Sequence, residues 1–461
     1  MTEHTGTPDQ PGTLDQPGTP DQPGTPDQPG TPDQPGTPDR AVAPEDSLEP
    51  VGLIRQSGAI LRMGRMMLAS GTASYRVKQA MAAVAHSLGI DRHSAHVTLT
   101  EITATTHRGP IFRTEVTEIR SIGVNADRIG ALDQMRRDLG GTTTVEEVHA
   151  RLDRIEGKPA LYPPVMNAIY AGGACAGFAV LNYARPLEVI AVFLAATLGQ
   201  FLRRWLHHRH FNPFGTTMLA AALACAIYLG SVGVYSIAGS SVDVHASGYI
   251  ACVLFLLPGF PLITGALDMA RLDLSAGTQR LIFGTMMTVG AALSVWGMTL
   301  VGSLSTEVRE PLPLPLVEHL GLTALASFVG VLGFALMFNS PGRLAVTAAA
   351  IGMVANTLRR FLVDEGMMLQ AATVIACVIV GVLAALASRR TRWPHITLSV
   401  PAVLVMIPGV LAFQSVVSAN EARYNDAIGA MLEVVLVMMS IMVGLVIAKL
   451  LTDPKWSYER G

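Results

Sequence analysis

Residues 256–265 read LLPGFPLITG, a Pro-Gly pair set in the middle of a run without charge. Proline removes a backbone donor and clashes with the preceding turn, and glycine adds chain entropy, so the pair suits a buried helix poorly. A second copy, VMIPGVLAFQ at residues 405–414, interrupts another uncharged run.

Working outward from the two pairs, ten candidate membrane spans run approximately 165–184, 187–202, 214–238, 247–267, 281–303, 320–338, 344–362, 367–388, 396–416 and 427–449. Most hold about 20 residues, enough to cross a hydrocarbon core of roughly 30 Å. The second and seventh read as short and end at charges. The chain is half hydrophobic and 15% charged, against about 25% charged in ordinary soluble domains. Most of the charge lies in residues 1–160. The expected class is an α-helical integral membrane protein with an N-terminal cytoplasmic α+β domain. A net charge of −2 gives no reason to expect a nucleic-acid partner. Cys175, Cys225, Cys252 and Cys377 all fall in apolar runs and read as small buried hydrophobes.

With the N-terminal part in the cytoplasm, an even span count returns the C-terminus there. Lysine and arginine placement agrees in sign. The inner loops and tail hold twelve: Arg203, Arg204, Arg209, Arg271, Arg280, Arg343, Arg389, Arg390, Arg392, Lys449, Lys455 and Arg460. The outer loops hold five: Arg185, Arg309, Arg359, Arg360 and Arg423. The Arg359 and Arg360 pair is the main exception, and it becomes informative when the halves are overlaid. QFLRRW (200–205) closes the second span and NTLRRF (356–361) the seventh, a shift of 156 residues between Arg204 and Arg360. The two Pro-Gly pairs lie in the fourth and ninth spans, a shift of 150 residues between Pro258 and Pro408. Both marks fall in corresponding spans of two five-span halves, 163–309 and 310–461. An odd number of spans per half threads the second copy with inverted topology, the pattern of inverted-repeat transporters with a site near the midplane. Each Pro-Gly would then unwind its helix at mid-depth and face the other. The plainer reading is a kink that serves packing alone.

Residues 1–50 are a different material. The hexamer TPDQPG repeats from Thr7 to TPDR at 37–40, too poor in apolar side chains to offset its chain entropy, so a disordered tail is expected. It has no basic n-region and no apolar h-region, unlike a signal peptide. Residues 51–162 read as a small α+β domain. LIRQSGAILRMGRMMLAS has helical spacing, and Ser74 or Thr72 could cap the next helix, which ends near Gly89. AHVTLTEITATTH and PIFRTEVTEI around RGP resemble a two-stranded hairpin, and two more helical stretches follow.

SGTASYRVKQAMAAVAHSLGI resembles the opening of the soluble domain of the threonine/serine exporter (ThrE) family, and LPGFPLITGALDMARLDLSAGTQRL resembles that family's Pro-Gly-x-Pro-Leu segment and following loop. The likeness covers roughly residues 55–450. It implies a multi-pass exporter of threonine and serine in the cytoplasmic membrane, driven by the proton motive force. Relatives split into two subunits are associated with succinate export, so the resemblance leaves a dicarboxylate as an alternative substrate. Lys78 departs from the family, many of whose members carry an acid there.

Candidate substrate-binding residues are Pro258, Gly259, Pro408 and Gly409, with Gln200 and Asn356 one turn before the arginine pairs, and Asp268 and Arg280. Asp268 could gate the cytoplasmic entrance or pair with the substrate's ammonium; a solvated loop held by local ion pairs carries equal weight. Gln200 and Asn356 could line a polar pathway or act as glue between helices. Glu433, the one charge between Ala427 and Ala448, is the proton-coupling candidate, with an interfacial position as its rival. The arginine pairs could bind a carboxylate or snorkel to headgroups. HHRHFNP (207–213) reads as a basic loop rather than a metal site, and EPLPLPLVE (310–318) as a stiff connector. Ser74, His86, His93, His96 and His107 form no recognisable catalytic set, which weighs against a membrane-bound enzyme. The expected partners are a small-molecule substrate and membrane lipid. No cofactor, metal or nucleic acid is expected, and a homo-oligomer stays open.

Overall fold

The computed structural model describes residues 44–119, 123–141, 143–237, 246–300 and 313–454. The hexamer repeat, Arg309, Lys455 and Arg460 lie outside the described residues, as does the start of the proline-rich connector.

The chain opens with α1 (Pro44–Ala69) and α2 (Ser74–Ser87). Leu53, Ile60, Met63 and Met67 recur at helical spacing along α1 and are buried with Val77, Met81 and Val84 of α2. Both helices cover one face of an antiparallel meander, β1 (Arg92–Val97), β2 (Glu101–Arg108) and β3 (Ile111–Glu118). Along β2 alternate residues turn inward, with Ile102, Ala104 and Thr106 nearly inaccessible. Gly109 supplies the positive φ, +56°, of the two-residue turn between Arg108 and Ile111. The expected hairpin is therefore three-stranded. AHVTLTEITATTH is not one strand, because Thr98 reverses the chain by donating its amide to the Glu101 carbonyl at 2.9 Å. Next come α3 (Ala126–Asp138), capped by Asn125, and α4 (Val145–Glu156), capped by Thr144. Arg62 of α1 reaches Asp153 and Glu156 of α4 at 2.6 and 2.5 Å.

The remainder is a helical bundle. Its first set comprises α5 (Pro164–Leu181), α6 (Pro186–His208), α7 (Pro213–Ile237), α8 (Ala246–Ala251), a 3-10 turn (Leu254–Leu256), α9 (Gly259–Ala270) and α10 (Leu274–Thr299). The second set comprises α11 (Leu316–Met337), α12 (Gly342–Asp364), α13 (Leu369–Thr391), α14 (His395–Leu404), α15 (Gly409–Asn420) and α16 (Tyr424–Thr452). Proline opens α5, α6 and α7 at the position where its missing amide costs nothing. Among the described residues eight helices are long and apolar enough to cross a membrane, and two bent pairs bring the number to ten if each pair is one span. The protein is a multi-pass membrane protein. The second and seventh spans are not short: α6 and α12 each run 23 residues, straight through their arginine pairs. Arg203 reaches the Phe255 carbonyl at 3.4 Å, and Arg359 donates through Nε to Asn356 Oδ1 at 3.1 Å, so neither arginine ends its helix.

The same neighbours recur in both sets. α5 packs on α6, α6 on α7, and α10 on α7 and α9; α11 packs on α12, α12 on α13, and α16 on α13 and α15. The sets meet at α5 and α11, where Gly177 lies against the backbone of Ala326 and Gly330, and Gly333 against Tyr170 and Ala174. A Cβ on Gly177 would sit 2.7 Å from the Ala326 carbonyl oxygen, so only glycine admits this approach. The α+β part contacts three connections of the bundle. Asn125 receives a hydrogen bond from Asn339 at 2.9 Å, Arg137 donates to the Arg392 carbonyl, and Ser74 meets Asp273 at 2.6 Å.

Candidate transport site

Both bends fall on the Pro-Gly pairs. The helix axis turns by 64° between Gly248–Leu256 and Gly259–Ala270, and by 48° between His395–Leu404 and Gly409–Asn420. Pro258 has φ −79° and ψ 53°, and Pro408 has φ −80° and ψ 61°. Those values describe an inverse γ-turn. In each turn the glycine amide donates back two residues, Gly259 to the Leu257 carbonyl and Gly409 to the Ile407 carbonyl, both at 2.8 Å. A tight turn of this kind interrupts the helical ladder. The amides of Phe260, Val410 and Leu411, and the carbonyl of Met406, have no backbone partner among the described residues. Within an apolar span such groups are costly unless something polar meets them.

The two breaks pack into each other. A Cβ on Gly259 would lie 2.1 Å from Leu404 Cδ2, and one on Gly409 would lie 2.8 Å from Leu254 Cδ1. Leu404 and Leu254 occupy matching places, each five residues before its glycine.

A cavity of about 530 Å³ adjoins the breaks, bounded by Leu254, Leu257, Ile407, Pro408 and Gly409 and by α10 and α16. Its lining is almost wholly apolar and includes Met431, Met438, Met439 and Met442. Thr285 and Thr288 supply the hydroxyls, and Thr288 donates its own to the Gly284 carbonyl at 2.9 Å.

The remaining polar candidates lie elsewhere. Gln200 donates to Asn167 Oδ1 at 2.9 Å, and Asn167 donates to the Met337 carbonyl at 2.7 Å, which ties α6 to α5 and α5 to α11. Asn356 donates to Ser327 Oγ at 2.9 Å, tying α12 to α11. Neither amide lines the cavity.

Asp268 and Arg280 come together, but not in a solvated loop. They are 0% and 1% exposed, with Arg280 Nε 3.3 Å from Asp268 Oδ2. Asp268 also accepts from the Ser74 amide at 3.0 Å and from Ser74 Oγ at 3.1 Å. Arg280 donates through Nη2 to the Thr72 carbonyl at 2.9 Å and through Nη1 to Thr264 Oγ1 at 3.2 Å. Neither Ser74 nor Thr72 caps α2 with its side chain; the cap is the carboxylate of Asp268. The solvated-loop reading is thereby corrected, and an ammonium could reach Asp268 only by displacing Ser74 or Arg280. Lys78 Nζ bonds Asp273 Oδ1 at 2.6 Å beside this knot. Glu433 sits half-buried in the third turn of α16 and is not among the residues that line the cavity, although Met431 and Val434 on either side are.

Sequence reasoning missed Asn167 and Ser327, and offered Thr72 only as a helix cap. Asn167 and Ser327 are polar residues within apolar runs, which was the available signal; the role of Thr72 rests on a backbone carbonyl and left none. Among the described residues no group of three His, Cys, Asp or Glu could hold a metal ion.

Comparison with known proteins agrees with this architecture. The profile described as "Threonine/Serine exporter, ThrE" matches residues 323–451, and its companion ThrE profile, likewise described as a threonine/serine exporter, matches residues 59–301. The "Probable threonine/serine exporter" of Mycobacterium tuberculosis is 24% identical over 413 residues, 86% of this chain and 76% of that protein. The "Probable succinate transporter subunit YjjP" of Escherichia coli is 25% identical over 251 residues, 52% of this chain and 93% of that protein. "Pheromone-regulated membrane protein 10" of Saccharomyces cerevisiae is 22% identical over 80% of this chain and 48% of its own length. No solved structure matches. The chain, with its paired broken helices and its α+β part docked on the bundle, belongs to the threonine/serine exporter family of membrane exporters.

Proposed function

We propose that this protein is a secondary transporter that exports threonine and serine across the cytoplasmic membrane under the proton motive force. The observation that carries the reading is the pair of mutually packed breaks at Pro258/Gly259 and Pro408/Gly409. Each break starts a half-helix, and a helix start carries partial positive charge and unpaired amides. The Phe260, Val410 and Leu411 amides would receive the substrate carboxylate, and the Met406 carbonyl its ammonium. Gln200 and Asn356 act on this site through the helices they tie. Glu433 is the carboxylate assigned to proton coupling, as an ionisable group within a span.

The bundle reads as two inverted five-helix repeats, 163–309 and 310–461, behind a cytoplasmic domain at 51–162, with both termini cytoplasmic. The recurrence of helix neighbours supports this. So do the left-handed residues that end corresponding helices: Tyr183 and Asn339, and His210 and Gly366, each 156 residues apart, and Leu272 and Ala422, 150 apart. Those are the shifts of the arginine and Pro-Gly motifs.

The test is efflux from cells preloaded with a threonine-containing dipeptide, with and without the intact gene and with the proton gradient collapsed. Faster, gradient-dependent threonine efflux with the gene is expected; equal efflux overturns the reading. A dicarboxylate substrate is the second reading, favoured by two arginines in the bundle, Arg203 and Arg359, whose hydrogen-bond acceptors are neutral. Succinate efflux in the same cells, with no threonine efflux, would select it.

A further inference from the structure

The connection between α1 and α2, SGTA at residues 70–73, reaches into the bundle as far as the first break. Gly71 takes φ +93°, and a Cβ there would lie 3.6 Å from the ring of Phe260, the residue that follows the Pro258/Gly259 pair. Ala73 is buried within the apolar core of the bundle rather than that of the α+β part. From Phe260 onward the loop follows α9. The Thr72 carbonyl accepts from Arg280, which also donates to Thr264, and the Ser74 amide donates to Asp268. Thr72, Ala73 and Ser74 are all 0% exposed, so loop and half-helix leave no opening between them. We infer, resting on the transport site proposed above, that this loop is its cytoplasmic gate and that substrate enters when the loop withdraws from α9.

A permanent brace is the rival, and the distribution of charge favours a releasable contact. Asp268 and Arg280 both belong to the bundle and pair with each other at 3.3 Å. Withdrawal of the loop therefore strands neither charge, and the Ser74 amide and Thr72 carbonyl pass to cytoplasmic water. The outermost contacts, Ser74 and Lys78 on Asp273, already stand at a half-open rim, where Lys78 is 34% and Asp273 20% exposed. The second half lacks the matching pair. Val410, 150 residues beyond Phe260, is half-buried, and Ser418 and Ala430 stand in place of Asp268 and Arg280. A midplane site closes to one side as it opens to the other. The α+β part serves one face of the bundle, the face at which an exporter loads its substrate.

The experiment locks the contact. In a full-length chain whose four native cysteines are replaced by alanine, Ser74→Cys and Asp273→Cys put two thiols where the side chains now meet at 2.6 Å, within disulfide reach. Threonine transport driven by an imposed proton gradient is measured in proteoliposomes, first oxidised and then reduced. Oxidation should abolish transport and reduction restore it, so each sample is its own control for folding. Lys78→Cys with Asp273→Cys, bridged by a short bis-thiosulfonate linker, serves if the first pair inserts poorly or does not cross-link. A cross-linked protein that transports at the reduced rate overturns the gate in favour of a brace, with the transporter reading intact. Ala73→Cys should react with a membrane-impermeant thiol reagent during transport, despite its burial here. A thiol that stays unlabelled under those conditions overturns the gate as well. No threonine transport by the unmodified chain is a failure of the transporter reading itself and takes this inference with it.

Discussion

The carboxylate of Asp268 accepts a hydrogen bond from the backbone amide of Ser74 at 3.0 Å, across 194 residues of chain. Ser74 begins α2, and no residue before it offers a side-chain cap. The cap comes instead from the last turn of α9, a 12-residue rod whose other end is the Pro258/Gly259 break. Displacement of this half-helix at the break is therefore felt by the α+β part. The second set lacks the device, since Ser418 and Ala430 stand 150 residues beyond Asp268 and Arg280.

Asp268→Asn keeps the shape of the cap but leaves the Arg280 guanidinium buried without its paired carboxylate, a loss of about 3–5 kcal/mol. Protein in the membrane and the melting temperature in detergent should both fall steeply. Combining Asp268→Leu with Arg280→Met should recover part of the loss, because an apolar pair of similar volume carries no desolvation cost. A double variant no more stable than Asp268→Asn would argue against a buried brace.

Lys78 and Asp273 form a half-exposed ion pair at 2.6 Å that joins α2 to the start of α10. Lys78→Met should cost at most about 1 kcal/mol, as solvent screens such pairs. Lys78→Glu should cost more, because it adds a third carboxylate beside Asp273 and Asp268. Added salt should narrow the gap between the two variants. A gap in melting temperature unchanged by salt would contradict the electrostatic account.

Gly259→Ala should impair both insertion and export, because its Cβ would press on Leu404 at 2.1 Å. Overpacking of this kind costs about 1–3 kcal/mol. Gly409→Ala, with its nearest contact at 2.8 Å, should be milder. Leu404→Ala should rescue the folding of Gly259→Ala. Export per inserted molecule then separates the roles: if the breaks form the site, the rescued variant still exports less, since the fit of one break against the other is altered. Normal export per molecule would reduce the breaks to packing kinks.

The four native cysteines are all buried, so a cysteine-free background should be accessible. In it, Glu421→Cys, beyond α15, and Arg390→Cys, near the end of α13, should be labelled by a membrane-impermeant reagent from opposite sides. Labelling from one side would remove the alternating threading and the inverted repeat with it.

The sequence by itself determined the spans and their interruptions, because both follow from local physics. A stretch of about 20 apolar residues must close its own backbone hydrogen bonds as a helix, and a Pro-Gly pair breaks that ladder wherever it stands. Pro258 and Pro408 were legible for that reason, as was their offset. Only the tertiary structure decided what the charged residues do. Arg204 and Arg360 looked like the ends of short spans, yet α6 and α12 continue past them, with Arg203 donating to the Phe255 carbonyl of the 3-10 turn and Arg359 to the Asn356 side chain of its own helix. Asp268 looked like a loop residue, and its partners Ser74 and Thr72 lie in another part of the chain. Thr98 turned one expected strand into two through a short-range bond that competes with strand propensity. A charge's environment depends on which distant backbone groups fold against it, and no window of sequence carries that information.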